Sequence, residues 1–460
     1  MMTRTRMLRQ AVNIAALAAL YIVAGKLGLR LAYFHASASP VWPPTGIAIA
    51  AMLILGPAVW PGVFLGAFLV NLTTTGMLGT SVGIAVGNTG EALAATYLVR
   101  RFARGRHPFE RPRNVLLFAL LAGLLSTTLA ASVGAITLHL GGLVRPAQVG
   151  TVWFTWWLGD ASGALVFAPA LLLWAADPRI RWPAPRRLEA AMLTVTLLLV
   201  GAVVFAALPP FDNPTYPLSF LVLPPLLWAA LRFGSRETAT ATLLLGAIAI
   251  RGTIHGVGPF GVADRNTALL LLQSFLMVTS VTGLILAAVV AERRRAEAWL
   301  RRMAVSDPLT GLSNYRQLAV VLEAEIQRTR RTGRSFTVLF FDMDLLKRIN
   351  DRHGHLVGSR ALVRLAEAIQ FTCRAIDSAA RYGGDEFAVV LPETEEDAAR
   401  QVAARVLERL REDVERPRLS ASVGVAQYPR DGETAEDLIG AADRLLYQAK
   451  ASRVAPSRDR

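Results

Sequence analysis

The chain has 460 residues, 53% of them hydrophobic, and a mean hydropathy of +0.40, so it is not soluble throughout. Its length allows roughly two or three domains. A net charge of +15 would suit a nucleic-acid binder, but the placement of the arginines argues against a nucleic-acid polymer as partner.

From Ala11 to Val290 the sequence is a series of long apolar stretches; after Glu292 it is charged and amphipathic. Apolar runs of ~20 residues are what a helix needs to cross a bilayer. Arginines gather in alternate connections: Arg4, Arg6 and Arg9; Arg100 to Arg113; Arg179 to Arg187; Arg232 and Arg236; Arg293 to Arg302. The intervening connections, His35 to Pro43, Gly141 to Gly150 and Pro209 to Pro217, carry almost none. This is the positive-inside pattern, and it predicts a multi-pass membrane protein with both ends in the cytoplasm. Three spans are needed between Pro44 and Val99, giving about ten in all, or about eight if Pro44 to Met77 is re-entrant. The first apolar stretch continues to Phe34 without a cleavage-site pattern, so no cleavable leader is expected. The single Cys373 excludes an intrachain disulfide.

Within the apolar half, Glu91 (in Gly87-Asn88-Thr89-Gly90-Glu91) and Asp160 (in Gly159-Asp160-Ala161-Ser162-Gly163) stand out. An ionisable group there faces a cavity, a ligand, a helix end or a neighbouring helix. These stretches, with Trp42-Pro43-Pro44-Thr45-Gly46 and Phe167-Ala168-Pro169-Ala170, resemble the membrane-associated sensor (MASE-type) domains that precede bacterial signalling enzymes. The resemblance covers about Tyr21 to Val290 and implies a sensory input module. A transporter is the rival reading of this half.

The expected division is 1–291 as a membrane domain, 292–306 as a helical linker, 307–454 as a soluble domain and 455–460 as a tail. In the linker, Ala291 to Ala304 lacks Pro and Gly and is rich in arginine. It reads equally as a signalling helix or a solvated flank.

The soluble part opens with Asp307-Pro308-Leu309-Thr310-Gly311-Leu312 and an amphipathic helix over Asn314 to Arg330. A buried strand, Ser335 to Phe341, ends at Asp342-Met343-Asp344. A carboxylate at the carboxyl end of a core strand is well placed for a metal; the alternative, an Asp that caps the next helix, suits Asp344 better than Asp342. A helix from Arg360 leads to Cys373. Then Arg381-Tyr382-Gly383-Gly384-Asp385-Glu386-Phe387 predicts a hairpin whose glycines allow positive φ, with two carboxylates at its tip. A helix over Glu396 to Arg411, a strand over Leu419 to Ala426 and a helix over Ala435 to Ala451 complete an α/β domain with a mostly antiparallel sheet.

Asp307 to about Arg453 resembles the GGDEF domain of diguanylate cyclases, on motifs that occur in order with the expected spacing. The fold implied is that of adenylyl cyclase and polymerase palm domains. The implied reaction joins two GTP into cyclic di-GMP with release of two pyrophosphates, across a homodimer. The resemblance assigns Asp342, the Met343 carbonyl, Asp385 and Glu386 to Mg2+ (or Mn2+), with Asp385 also helping to deprotonate the attacking hydroxyl. It assigns Asn350 to the guanine edge and Lys450 to the triphosphate, with Lys347, Gly383 and Gly384 lining the nucleotide. Lys347 and Lys450 are two of only three lysines, Lys26 being the other, in a chain that otherwise uses arginine. Arg374 and Asp377, with five residues between Asp377 and Gly383, match the family's RxxD inhibitory site for cyclic di-GMP.

The departures bear on substrate. Ser359 stands where the family usually has an Asp that accepts from guanine. A hydroxyl donates or accepts, so it tolerates adenine as well, and the loss of a mispaired buried group can forfeit ~10⁴-fold selectivity. Ser359 resembles the hybrid promiscuous subgroup, which implies ATP as a further substrate and cyclic GMP-AMP as a further product. Leu346 replaces a Phe and Tyr315 an Arg. Arg453 arrives one residue early after Lys450, which leaves its reach to the phosphates open. A catalytically silent receptor for cyclic di-GMP is the alternative to an active cyclase.

Overall fold

The computed structural model describes residues 4–103, 108–180, 182–205, 218–261 and 264–454. The expected Pro209 to Pro217 connection and the 455–460 tail lie outside the described residues, as does the side chain of Arg453. The chain divides into two compact units, Met1–Arg294 and Arg295–Arg460.

The first unit is helical: α1 Arg4–Leu29, α2 Pro43–Leu55, α3 Trp60–Thr75, α4 Leu78–Phe102, α5 Pro112–Phe118, α6 Thr127–Leu140, α7 Val149–Ser162, α8 Ala168–Ala176, α9 Ala184–Phe205, α10 Leu223–Arg232 and α11 Ser235–Ile254. Helix α12, Arg265–Val305, begins here and runs past the division. Among the described residues, six helical stretches are long and apolar enough to cross a bilayer, and Pro43–Leu55 and Leu218–Arg232 are shorter apolar helices. Where three spans are expected between Pro44 and Val99 there are three helices, α2, α3 and α4, of which only the stretch Pro57–Thr75 is among the six.

Solvation explains the packing. Val12, Leu20, Val23 and Leu27 lie exposed along α1, as suits a lipid-facing stripe, while Leu17, Tyr21 and Ala24 turn inward. Polar side chains also point inward: Thr45, Asn88, Glu91 and Asp160 are all buried, where helices rather than lipid surround them.

The second unit is a four-stranded sheet with helices on both faces. Its elements are α13 Tyr315–Thr332, β1 Phe336–Met343, α14 Leu346–His353, α15 His355–Thr372, β2 Ser378–Arg381, β3 Glu386–Leu391, α16 Glu396–Glu412, β4 Ala421–Tyr428 and α17 Ala435–Val454. Strand order is β2-β3-β1-β4, every pairing antiparallel. Strand alternation builds two cores. Phe336, Val338 and Phe340 face α13 and α17, whereas Leu339, Phe341 and Met343 face α15 and α16.

Local chemistry sets the boundaries. Asn314 caps α13, its Oδ1 accepting from the Gln317 N–H at 3.0 Å. The helix expected from Arg360 starts five residues earlier, at His355, because Gly354 (φ +86°) makes the break that follows α14. Central β1 is buried at every position, which lets it hold strands on both edges.

Candidate active site

The register of the sheet assembles the site. On β1 and β3, Asp342 lies directly opposite Glu386. The neighbouring Met343 N–H donates to the Asp385 carbonyl at 3.0 Å. Opposite residues on antiparallel strands hold their side chains about 5 Å apart, so the end of the central strand and the hairpin tip present one acidic face. Met343 itself is buried in the core, leaving only its backbone toward the site.

The hairpin forms, but not through positive φ. Neither Gly383 nor Gly384 occupies the left-handed region. What they supply is space: a Cβ at Gly384 would meet nothing within 4 Å, and one at Gly383 only Glu386 Oε2 at 3.1 Å. The turn closes through Tyr382 N–H to the Glu386 carbonyl at 2.9 Å. Arg381 braces it, donating from Nη2 to the Gly384 carbonyl at 2.6 Å and from Nη1 to both Asp307 oxygens at 3.3 Å. Tyr315, which stands in for an expected Arg, packs its ring edge-on to Tyr382 at 5.1 Å.

Lys450 reaches the acidic face from α17, its Nζ 2.6 Å from Asp342 Oδ1. That helix lies close on β4 because position 424 is glycine; a Cβ there would overlap the Ala442 carbonyl. Burial raises the Asp342 carboxyl above the ordinary range, and Asp385 and Asp344 add to this against the pull of Lys450. Burial likewise raises Glu386, aided by the charges of Asp342, Asp385 and Asp443. The site therefore holds more negative charge than it neutralises.

The N-cap position of α14 falls on Leu345, one residue after Asp344. Asp344 Oδ1 accepts from Ser422 Oγ at 2.8 Å and its N–H donates to the Ser420 carbonyl at 3.0 Å, tying it to the β4 side. The residue before α14 is Leu345, which adopts φ +60° without being glycine. Such strain at a non-glycine position is stored where a backbone must turn sharply beside a site.

Asn350 and Ser359 sit on α14 and α15, both half-buried, and Lys347 is exposed. Glycine at 358 lets the two helices bring them together: a Cβ there would overlap Asn350 Oδ1. Arg374 and Asp377 form a turn at the far end of β2. The Arg374 backbone N–H donates to Asp377 Oδ2 at 2.7 Å, while its exposed guanidinium makes no ion pair among the described residues. Glu91 and Asp160 belong to the other unit.

Asp443, Asp307, Arg381 and Gly358 went unassigned in the sequence. Asp443 was within reach of pattern reasoning, since it lies seven residues before Lys450 on one helix and so on the same face.

The MASE1 family matches residues 14–294, and a second match, to the diguanylate cyclase GGDEF domain, covers residues 304–455. The chain belongs to the MASE1 family and carries a GGDEF domain. With its apolar helices, the MASE1 domain makes this a multi-pass membrane protein. An uncharacterized signaling protein of Caulobacter vibrioides is 42% identical over 167 residues, 35% of this chain and 21% of that protein. The cyclic di-GMP phosphodiesterase NbdA of Pseudomonas aeruginosa is 30% identical over 364 residues, 78% of this chain and 43% of that protein. The response regulator PleD of Caulobacter vibrioides is 36% identical over 179 residues, 35% of this chain and 38% of that protein. The chain thus spans less than half the length of each of these relatives. Among solved structures, a sensory box/GGDEF family protein from Caulobacter crescentus is 41% identical, with 32% of this chain and 98% of that chain covered and a TM-score of 0.31.

Proposed function

We propose that this protein is a membrane-bound diguanylate cyclase that condenses two GTP into cyclic di-GMP and releases two pyrophosphates, under control of its MASE1 domain. The observation that carries this reading is the acidic face made by Asp342 opposite Glu386, with Asp385 beside them and the Lys450 ammonium above. The GGDEF match and the diguanylate cyclases among the relatives support it.

The donor set fits a hard dication such as Mg2+ or Mn2+. The available atoms are carboxylate oxygens whose mutual repulsion a dication relieves. Among the described residues no three His, Cys, Asp or Glu side chains close into a metal cage. A Mg2+ ion bound together with a triphosphate takes part of its ligands from the phosphates. Asp342, Asp385, Glu386 and the Met343 carbonyl would hold it; when bound, it would neutralise phosphate charge and acidify the attacking hydroxyl.

The residues themselves divide the remaining work. Lys450 exchanges Asp342 for triphosphate oxygens, and Asp385 accepts the ribose 3′-hydroxyl proton. Asn350 reads the guanine edge while Lys347, Gly383 and Gly384 line the nucleotide. Ser359, able to donate and accept, admits adenine too, so ATP is a second substrate and cyclic GMP-AMP a second product. Ring closure needs two nucleotides facing each other, hence a homodimer. The exposed Arg374 guanidinium, which makes no ion pair among the described residues, and the Asp377 carboxylate in the same turn support product binding at a separate inhibitory site. The arginine-rich connections support placing the GGDEF domain in the cytoplasm, at the inner membrane.

Purified full-length protein given Mg2+ and GTP, ATP or an equal mixture is assayed by mass spectrometry of the products. Cyclic di-GMP is expected from GTP, and mixed cyclic GMP-AMP from the mixture. Asp385→Ala should abolish both without unfolding the protein. No cyclic dinucleotide under any condition overturns the reading, and cyclic di-GMP alone from the mixture overturns the relaxed base choice.

A further inference from the structure

Glu91 and Asp160, distant in sequence, reach one place inside the MASE1 domain. Glu91 lies midway along α4 and Asp160 on α7; they are 1% and 0% exposed and face each other. No lysine or arginine pairs with either carboxyl among the described residues. Thr45, in the first turn of α2, donates to Asp160 Oδ1 at 2.7 Å. Asp160 Oδ2 and both Glu91 oxygens crowd against one another, yet none lies in good hydrogen-bond geometry with a donor among the described residues.

Neutral groups complete the setting. Asn88 lies one turn before Glu91 on the same face of α4; it is 4% exposed, and neither its oxygen nor its nitrogen is bonded. From α1, the buried hydroxyl of Tyr21 comes close to Trp42, Asn88 and the two carboxyls without reaching good hydrogen-bond geometry with any described residue. Five buried oxygens are therefore gathered without a well-formed hydrogen bond among the described residues: Tyr21 Oη, Asn88 Oδ1, Glu91 Oε1 and Oε2, and Asp160 Oδ2. Buried polar groups normally find partners, and a cluster of exceptions asks for an occupant.

The surroundings are built tightly. Gly159 and Gly163 flank Asp160, and a Cβ on either would strike the carbonyl of Ser39 or Trp42. The chain leading into α2 is thus laid directly on α7. Just beyond Asp160, residues Gly163–Phe167 leave α-helical geometry for a π-helical turn, a feature that recurs at functional sites.

A proton on a carboxyl adds one donor and so pairs one acceptor; a hard cation takes several oxygens at once and brings charge. We propose that Tyr21, Asn88, Glu91 and Asp160 form an oxygen-lined binding site for a small hard metal cation within the MASE1 domain. The ion supplies the positive charge that the two buried carboxylates lack. This site is separate from the cyclase chemistry and does not depend on it.

The test is thermal unfolding of the full-length protein in detergent, without nucleotide, at fixed pH and ionic strength. Na+, K+, Ca2+ and Mg2+ are each titrated against N-methylglucamine. A ligand that binds only the folded state raises Tm in a saturable way, and at least one ion is expected to do so. Glu91→Gln and Asp160→Asn, which keep side-chain shape, should lose the response, and Asp342→Asn in the GGDEF domain should keep it. If either isosteric variant does not fold, Asn88→Ala removes a single oxygen and should move the midpoint about tenfold higher in ion. The proposal is overturned if no ion acts at fixed pH, if the response survives in these variants, or if stability follows pH alone, which would mean protons neutralise the pair.

Discussion

Replacing Glu386 by Gln should make the GGDEF domain more stable while ending its catalysis. Glu386 faces Asp342 across the β1–β3 ladder, and like charges directly opposite on a sheet cost ~0.2–1 kcal/mol. Asp385 and Asp443 add to the repulsion, while the attraction of Lys450 and partial solvent exposure reduce it. The net gain is ~0.5–1 kcal/mol, which raises the Tm of a domain this size by about 1–4 °C. The pH dependence has a definite sign. The folded-state pKa of Glu386 is raised, so the folded state holds its proton more tightly than the unfolded one. Ionisation then costs stability as pH rises past the unfolded value of ~4.3 and up through the folded pKa. The variant's advantage is absent below pH ~4.3, grows above it, and levels off once the pH has passed the folded pKa of Glu386. Thermal unfolding of residues 295–460 by circular dichroism in EDTA, from pH 4 to 8, reads this directly. A Gln variant that is less stable at pH 7, or a gap that ignores pH, refutes the account of the acidic face.

Arg381→Ala should destabilise the same segment by ~1.5–3 kcal/mol, read as a lower urea midpoint, because its guanidinium bonds both Asp307 and the Gly384 carbonyl. Lys at that position should restore little, lacking the planar fork. Burial works against ionised Asp307, but Thr310 and Arg381 outweigh it and lower its pKa. The stability this gives is present above the unfolded value of ~3.9 and is lost as pH falls through the folded pKa, a loss that Asp307→Asn should not show. The Cys373 thiol is pushed up to about 12 by burial and by Asp377, so at pH 8 its thiolate fraction is about 10³-fold below that of an ordinary cysteine. Iodoacetamide should label it slowly in the folded protein and quickly in urea, as followed by mass spectrometry. Ser359→Asp should shift product toward cyclic di-GMP by ~10²–10⁴-fold in the mixed-nucleotide assay, since an acceptor-only side chain rejects adenine.

Patterns local in the chain were enough for much of this protein. Apolar run length and the alternation of arginine-rich with arginine-free connections marked a polytopic first half. Strand periodicity gave an antiparallel α/β second half, and the resemblance to GGDEF domains assigned Asp342, Asp385, Glu386 and Lys450 to its candidate site. These are legible because burial imposes short repeats on sequence, and because metal and phosphate chemistry demands particular side chains. What the tertiary structure alone decided is which distant groups meet. Asp342 stands opposite Glu386 through strand register, Arg381 reaches Asp307 across 74 positions, and Gly424 and Gly358 are needed because helices pass close over them. The hairpin glycines serve for space and not for handedness, which depends on backbone angles that composition does not set. Glu91 and Asp160 share one unpartnered site for the same reason: three-dimensional packing joins residues whose separation in the chain carries no trace of their contact.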